Sequence, residues 1–171
     1  MKKAIYTLLL FFFFIKTLSA QPTWTRIFGG PEGSHIRSLC ESNDGGYLAA
    51  GNTNDWGEFM FTSSIYSPSD NIYLVKTDSA GIMQWQKTYG TVYDEHTERV
   101  LQVPNGDIFI LGNTTDQTNI FLLKLNANGD QIWYNTYGGI DKDYAGGLEA
   151  VGNTSSSTVM TAALSRSPIP A

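Results

Sequence analysis

An all-β repeat protein is the fold class this sequence predicts, with tandem four-stranded antiparallel units, about two and a half of them. Three observations carry that expectation. The phrase GGYLAAGNT (Gly45–Thr53) recurs as GDIFILGNT (Gly106–Thr114) and again as GGLEAVGNT (Gly146–Thr154). Trp24, Trp85 and Trp133 open the similar segments WTRIFGG, WQKTYGT and WYNTYGG, at spacings of 61 and 48. Finally, the segment from Gln21 onward holds no apolar pattern of helical period, whereas period-two alternation and short apolar runs are frequent.

The spacings define the repeat, the feature to settle before any residue is given a role. Gly51 to Gly112 and His35 to His96 share the first of these spacings, while Lys76 to Lys124 and Gly81 to Gly129 share the second. The first unit is therefore longer by 13, and the excess lies between Thr53 and Ile72, in an aromatic-rich insertion from Asn54 to Asp70. Units of about 24–84, 85–132 and 133–171 follow, the last of them degenerate.

Each unit reads as four strands. Trp85, Lys87 and Tyr89 alternate with Gln84, Gln86 and Thr88, the pattern of a half-buried strand. HIRSLCES and HTERVLQV, then GYLAAGNT and DIFILGNT, make two more. NIYLVKT and NIFLLKL are continuous apolar runs, which suit a strand buried on both faces. Between them lie turn sequences, Asn43-Asp44-Gly45-Gly46, Pro104-Asn105-Gly106-Asp107, Asp78-Ser79-Ala80-Gly81 and Asn126-Ala127-Asn128-Gly129, in which Gly and Asn supply positive φ and Asx side chains brace the backbone. In the third unit GGLEAVGNT is read as the same strand as its two namesakes, with the strand before it lost at Ala145–Gly146. The polar tail from Ser155 offers one weak strand near Thr158 to Leu164.

The segment from Met1 to Ala20 reads as a secretory signal. Lys2 and Lys3 precede a twelve-residue apolar run, Ala4 to Ile15, and small residues follow at Ser19 and Ala20. The run is short of the roughly 20 apolar residues that span a membrane. The segment from Gln21 to Ala171 is one repeat domain, long enough for a sizeable core. Lys2, Lys3 and Lys16 belong to the signal, leaving 8 of 11 basic residues against 16 acids and a net charge of −8. Such an acidic chain is a poor partner for nucleic acid or an anionic membrane. The single cysteine, Cys40, has no internal disulfide partner and reads as a buried, inert thiol.

About 40 to 50 residues and four strands per unit is also the pattern of a propeller blade, so a partial β-propeller is expected. The pattern W-x-x-x-(Y/F)-G-G, D-G-G-Y-x-x-x-G-N-T and (I/L)-x-L-x-K-x-(D/N)-x-x-G-x-x-x-W resembles secreted bacterial β-propeller repeats of large surface proteins. The turn Asp78–Trp85 is similar to the tryptophan-docking turn of quinoprotein-type propellers, with the spacing to Asp different by one residue. That resemblance implies neighbouring blades as partners, in a longer parent protein, in a self-assembled ring, or in an open stack. It also implies a secreted or outer-membrane-surface location in a Gram-negative bacterium.

Few residues ask for chemistry. His35 and His96 share one repeat position, where repetition explains them better than a metal does. Asp94-Glu95 and Asp141-Lys142-Asp143 follow the Tyr-Gly turns and read as solvated loop charge. Lys76 and Lys124 end apolar strands and are expected to extend to solvent. Asn113-Thr114-Thr115 and Asn153-Thr154-Ser155 match glycosylation acceptors but are explained by the repeat. No nucleophile elbow, phosphate-binding loop or HExxH occurs, so no catalytic, cofactor-binding or metal residue is assigned and no cofactor is expected. The insertion departs from the repeat. Its Trp56, Phe59, Phe61 and Tyr66 are the candidate contacts for a glycan or protein ligand. The expected function is a secreted or cell-surface, non-catalytic module for display, adhesion or binding. The alternative is a propeller fragment accompanying a secreted hydrolase whose catalytic part lies elsewhere.

Overall fold

The structure, a computed structural model, describes residues 23–30, 33–54, 70–91, 93–115, 119–139, 142–151 and 159–166. The segment read as a signal peptide lies outside these residues. All regular structure among them is β. Ten strands run β1 (Ser34–Glu41), β2 (Tyr47–Thr53), β3 (Asn71–Thr77), β4 (Met83–Tyr89), β5 (Glu95–Gln102), β6 (Ile108–Thr114), β7 (Asn119–Leu125), β8 (Gln131–Tyr137), β9 (Asp143–Val151) and β10 (Val159–Arg166).

Strands β1 to β4 form one antiparallel four-stranded sheet and β5 to β8 another, each ordered as its chain runs; β9 and β10 pair as a hairpin. The repeat seen in the sequence is the repeat of the fold. β1 and β2 map onto β5 and β6 at the longer spacing, and β3 and β4 map onto β7 and β8 at the shorter one. Even the irregularities correspond: the register slips between Ile36 and Ser38 and between Thr97 and Arg99, then between Lys76 and Thr77 and between Lys124 and Leu125. The sheets begin one strand later than the Trp-led units suggest. The Trp85 strand closes the first sheet, and the Trp133 strand closes the second.

The third unit differs from expectation. GGLEAVGNT is not the counterpart of GGYLAAGNT. Its first half lies in β9, which is strand one of the third unit. Asp143 follows Glu95 at the shorter repeat spacing, and the slip between Ala145 and Gly147 follows that at Thr97 and Arg99 by the same interval. Strand two is β10, and Leu164 pairs with Ala145 where Gly112 pairs with Thr97 and Gly51 with Ile36. Residues 152–154, the GNT string itself, lie outside the described residues.

The units stack face to face. Leu48, Ala50, Ile72, Leu74 and Tyr89 from one sheet meet Val100, Ile108, Ile110, Phe121, Leu123 and Leu125 from the next in one buried cluster. The opposite face of the second sheet, Phe109, Leu111, Ile120 and Leu122, is packed by Ala145, Leu148 and Ala150 of β9. The opposite face of the first sheet, Ala49, Tyr73 and Val75, is packed by Phe28. Central strand β3 is consequently buried along its whole length, as its unbroken apolar run predicts. Alternation gives every sheet a forward face, towards the next unit, and a backward one. The forward positions of β2 and β3, Leu48, Ala50, Ile72 and Leu74, have Phe109, Leu111, Ile120 and Leu122 as their counterparts.

Candidate functional site

Two kinds of side chain hold one unit to the next, and the recurring motifs supply both. The first is the Asn of GNT. The Asn52 amide accepts from the Thr97 N–H at 3.1 Å and donates to the Glu95 carbonyl. Asn113 repeats the arrangement one unit on, accepting from the Ala145 N–H at 3.1 Å and donating to the Asp143 carbonyl at 2.9 Å. A strand presents the C=O of residue i and the N–H of residue i+2 on one edge. A primary amide carries the matching acceptor and donor in one plane, so it substitutes for a strand neighbour. The preceding Gly is fixed by the same contact zone. A Cβ on Gly51 would collide with the His35 carbonyl oxygen, and one on Gly112 would collide with that of His96.

The second is the tryptophan strand. Trp85 lies over Gly129, whose φ of +76° lets the turn Asn126–Asp130 close without a side chain. Beside it Lys87 donates to the Asn128 carbonyl at 2.9 Å and pairs with Asp130 at 2.8 Å, while the Tyr89 hydroxyl donates to the Gly129 carbonyl at 2.6 Å. Burial pushes the Tyr89 hydroxyl up in pKa, so it stays a neutral donor. Trp24 docks in the same way on Gly81, φ +75°, with its indole N–H donating to the Ser79 carbonyl at 3.2 Å.

Two acidic residues sit at the Asn clamps, Glu95 where β5 begins and Asp143 where β9 begins. Glu95 is fully buried rather than solvated. One carboxyl oxygen accepts from the Thr91 N–H at 2.9 Å and the Thr91 hydroxyl at 2.6 Å. Burial pushes its pKa up to about 7, with the Asp94 charge adding to the rise and the bonds from Thr91 and Tyr134 opposing it. Asp143 is buried as well, and accepts from the Gly139 N–H at 3.0 Å. Both carboxyls cap the turn after the Tyr-Gly pair at the same repeat position, which is Ser34 in the first unit. A Cβ on Gly90 would lie 2.8 Å from the Glu95 carboxyl, so the Gly makes room for the cap.

Lys76 does not extend to solvent. It is buried, with its ammonium on both Asp44 oxygens at 2.9 and 2.8 Å, the Thr77 carbonyl at 2.8 Å and Gln84 at 2.9 Å. The ammonium holds the Asp44 carboxyl well below the usual carboxylate range. Lys124 finds Asp107 at 2.8 Å instead, an acid two places further along the corresponding turn. The hairpin β1–β2 brings Asp44 to Lys76 from a distant part of the chain, a contact that spacing within a strand does not reveal.

The histidines keep their common repeat position, His35 opposite Asn52 and His96 opposite Asn113. His96 lies 3.9 Å from Asp70. Among the described residues no group of three or more His, Cys, Asp and Glu side chains is arranged to hold a metal ion. Cys40 is half-buried against the shared core, and desolvation pushes its thiol up, away from reactivity.

The aromatic candidates Trp56, Phe59, Phe61 and Tyr66 lie outside the described residues, but both roots of their insertion are described. It leaves from Thr53 and returns at Asn71, which pair with one another across β2 and β3. The Asn54 N–H donates to the Gly33 carbonyl at 3.3 Å, and the Asp70 N–H donates to the Asp94 carboxyl at 3.0 Å. Compared with models of known protein families and with curated proteins, the chain matches none.

Proposed function

We propose that the chain is a secreted or cell-surface, non-catalytic module of the β-propeller repeat type. Its sheets act as blades and its insertion binds a glycan or a protein. The observation that carries this reading is the way the insertion is rooted. Thr53 and Asn71 stay paired, so the segment from Asn54 to Asp70 is added to the end of the first sheet without interrupting it. The recurring residues are taken up by stacking, whereas the insertion serves no repeat position. Its four aromatic side chains offer the flat apolar faces that stack on sugar rings or anchor a protein partner. A glycan array read with the full-length chain tests it. Binding that disappears in the double variant Trp56→Ala/Phe59→Ala, with the fold unchanged by circular dichroism, supports the reading. Binding that survives in this variant, or an array with no signal, removes the insertion as a glycan site.

A further inference from the structure

Two Asn-Gly pairs occur in the sequence, Asn105-Gly106 and Asn128-Gly129. Asn-Gly is the dipeptide most prone to lose ammonia, because a glycine nitrogen has no Cβ beside it to hinder attack on the preceding side chain. Both glycine N–H groups close their turns alike, Gly106 donating to the Val103 carbonyl at 2.9 Å and Gly129 to the Asn126 carbonyl at 3.0 Å. The asparagine side chains differ. Asn105 is held at both ends by Asp107: its Oδ1 accepts from the Asp107 N–H at 3.0 Å and its Nδ2 donates to the Asp107 carboxyl at 3.0 Å. At Asn128 both bonds belong to the backbone, the N–H donating to Asn126 Oδ1 at 2.9 Å and the carbonyl accepting from Lys87. The Asn128 side chain is exposed and makes no hydrogen bond among the described residues. Nor does the turn need it. Asn126 braces this turn by accepting from the N–H groups of Asn128 and Asp130, as Asp78 accepts from those of Ala80 and Ile82. Ala80 stands where Asn128 does, and the first-sheet turn closes without an amide at that place.

We propose that Asn128 is a site of spontaneous deamidation, and that the product unseats its turn from the tryptophan row of the first sheet. The Gly129 nitrogen attacks the Asn128 side-chain carbonyl carbon. Its proton passes to solvent and the side-chain amide leaves as ammonia, which closes a succinimide ring. Water then opens the ring at one carbonyl or the other, giving aspartate or isoaspartate at the same place. Isoaspartate routes the main chain through the former side chain. This adds a methylene ahead of the Gly129 nitrogen and turns the old main-chain carbonyl into a free carboxylate. That carbonyl accepts from Lys87 at 2.9 Å, and the next one, of Gly129, accepts from the Tyr89 hydroxyl at 2.6 Å. A Cβ on Gly129 would lie 2.9 Å from the Trp85 ring, so the junction has no room for a longer turn. The new carboxylate also joins Asp130, which already pairs with Lys87 at 2.8 Å. The site is separate from the insertion, and its reaction does not depend on what the insertion binds.

The test ages the full-length chain at mildly alkaline pH and follows it by peptide mapping, with isoaspartate told from aspartate by electron-transfer fragmentation, and by thermal melts of the same samples. Isoaspartate at 128 is expected in several-fold excess over 105, with a downward shift in Tm that grows with the modified fraction. Fresh Asn128→Ala is expected to melt as the fresh wild type does, and to keep its Tm through the same incubation. No product at 128, or product at 105 ahead of it, overturns the proposal. So does an aged wild type that carries isoaspartate at 128 and keeps its Tm, since the row would then accept the longer turn. An Asn128→Ala chain that loses Tm on ageing as fast as the wild type overturns it too, because the damage would then lie elsewhere.

Discussion

The junction between the two four-stranded sheets and the junction between the second sheet and the β9–β10 hairpin are built from the same parts and completed to different degrees. Both have the Asn clamp, Asn52 in one and Asn113 in the other. Among the described residues only the first has the tryptophan row seated on a turn. The clamp requires nothing of the next unit except its first strand, and β9 provides one. The row requires a turn between strands three and four. Cohesion between neighbouring units therefore arises from two devices, the clamp and the row, and the second junction shows the clamp beside an apolar face packed by β9.

Substitutions at matched positions break the comparison apart, beginning with the core. Leu74 and Leu122 occupy the same forward position, the first fully buried between sheets and the second facing β9. Leu74→Ala is expected to destabilise by about 4 kcal/mol, and Leu122→Ala, 9% exposed where Leu74 is fully buried, by about 3 kcal/mol. Denaturant titration measures both. In the clamps, Asn52→Ala leaves the buried Thr97 N–H without its acceptor and is expected to cost about 3 kcal/mol, against about 1.5 kcal/mol for the half-buried Asn113→Ala.

Glu95 adds a pH dependence to the first junction. Its pKa is raised from 4.5 to about 7 on folding, so the neutral acid is the form the fold prefers. The contribution is complete below about pH 4.5 and is lost as pH rises through 7. Thermal melts of the wild type are expected to weaken over that window, by at most about 3 kcal/mol, and those of Glu95→Gln to lose this component. A wild-type profile identical to that of Glu95→Gln would show that Glu95 ionises freely in the folded chain. The smallest effect belongs to the tyrosines. Tyr89→Phe removes the bond to the Gly129 carbonyl and is expected to cost about 1 kcal/mol, whereas Tyr137→Phe is expected to cost close to nothing in the isolated chain.

Much of this was legible in the sequence because the devices that join units are short and fixed in spacing. Gly51 and Gly112 recur because a strand-one carbonyl crowds them, and Asn52 and Asn113 because each reaches the first strand of the next unit; the same interval separates both pairs. What failed were inferences from strings without pairing. GGLEAVGNT copies the phrase but not the strand, because β9 takes its place from Asp143, the turn cap, and from its register with β10. The reading of Glu95 and Asp143 as solvated charge failed for a related reason. A carboxyl shortly past a Gly turn looks like a loop residue until its backbone target is known. Lys76 was misplaced because its partner Asp44 arrives through another hairpin.

The claim that the GNT asparagine ties each unit to the next is tested most directly by amide hydrogen exchange at Thr97 and Ala145, whose N–H groups donate to Asn52 and Asn113. Both amides should exchange slowly in the wild type. In Asn52→Ala protection should fall at Thr97 with Ala145 unchanged, and in Asn113→Ala the reverse should hold. Fast exchange at both in the wild type, or protection at Thr97 that survives Asn52→Ala, would contradict it.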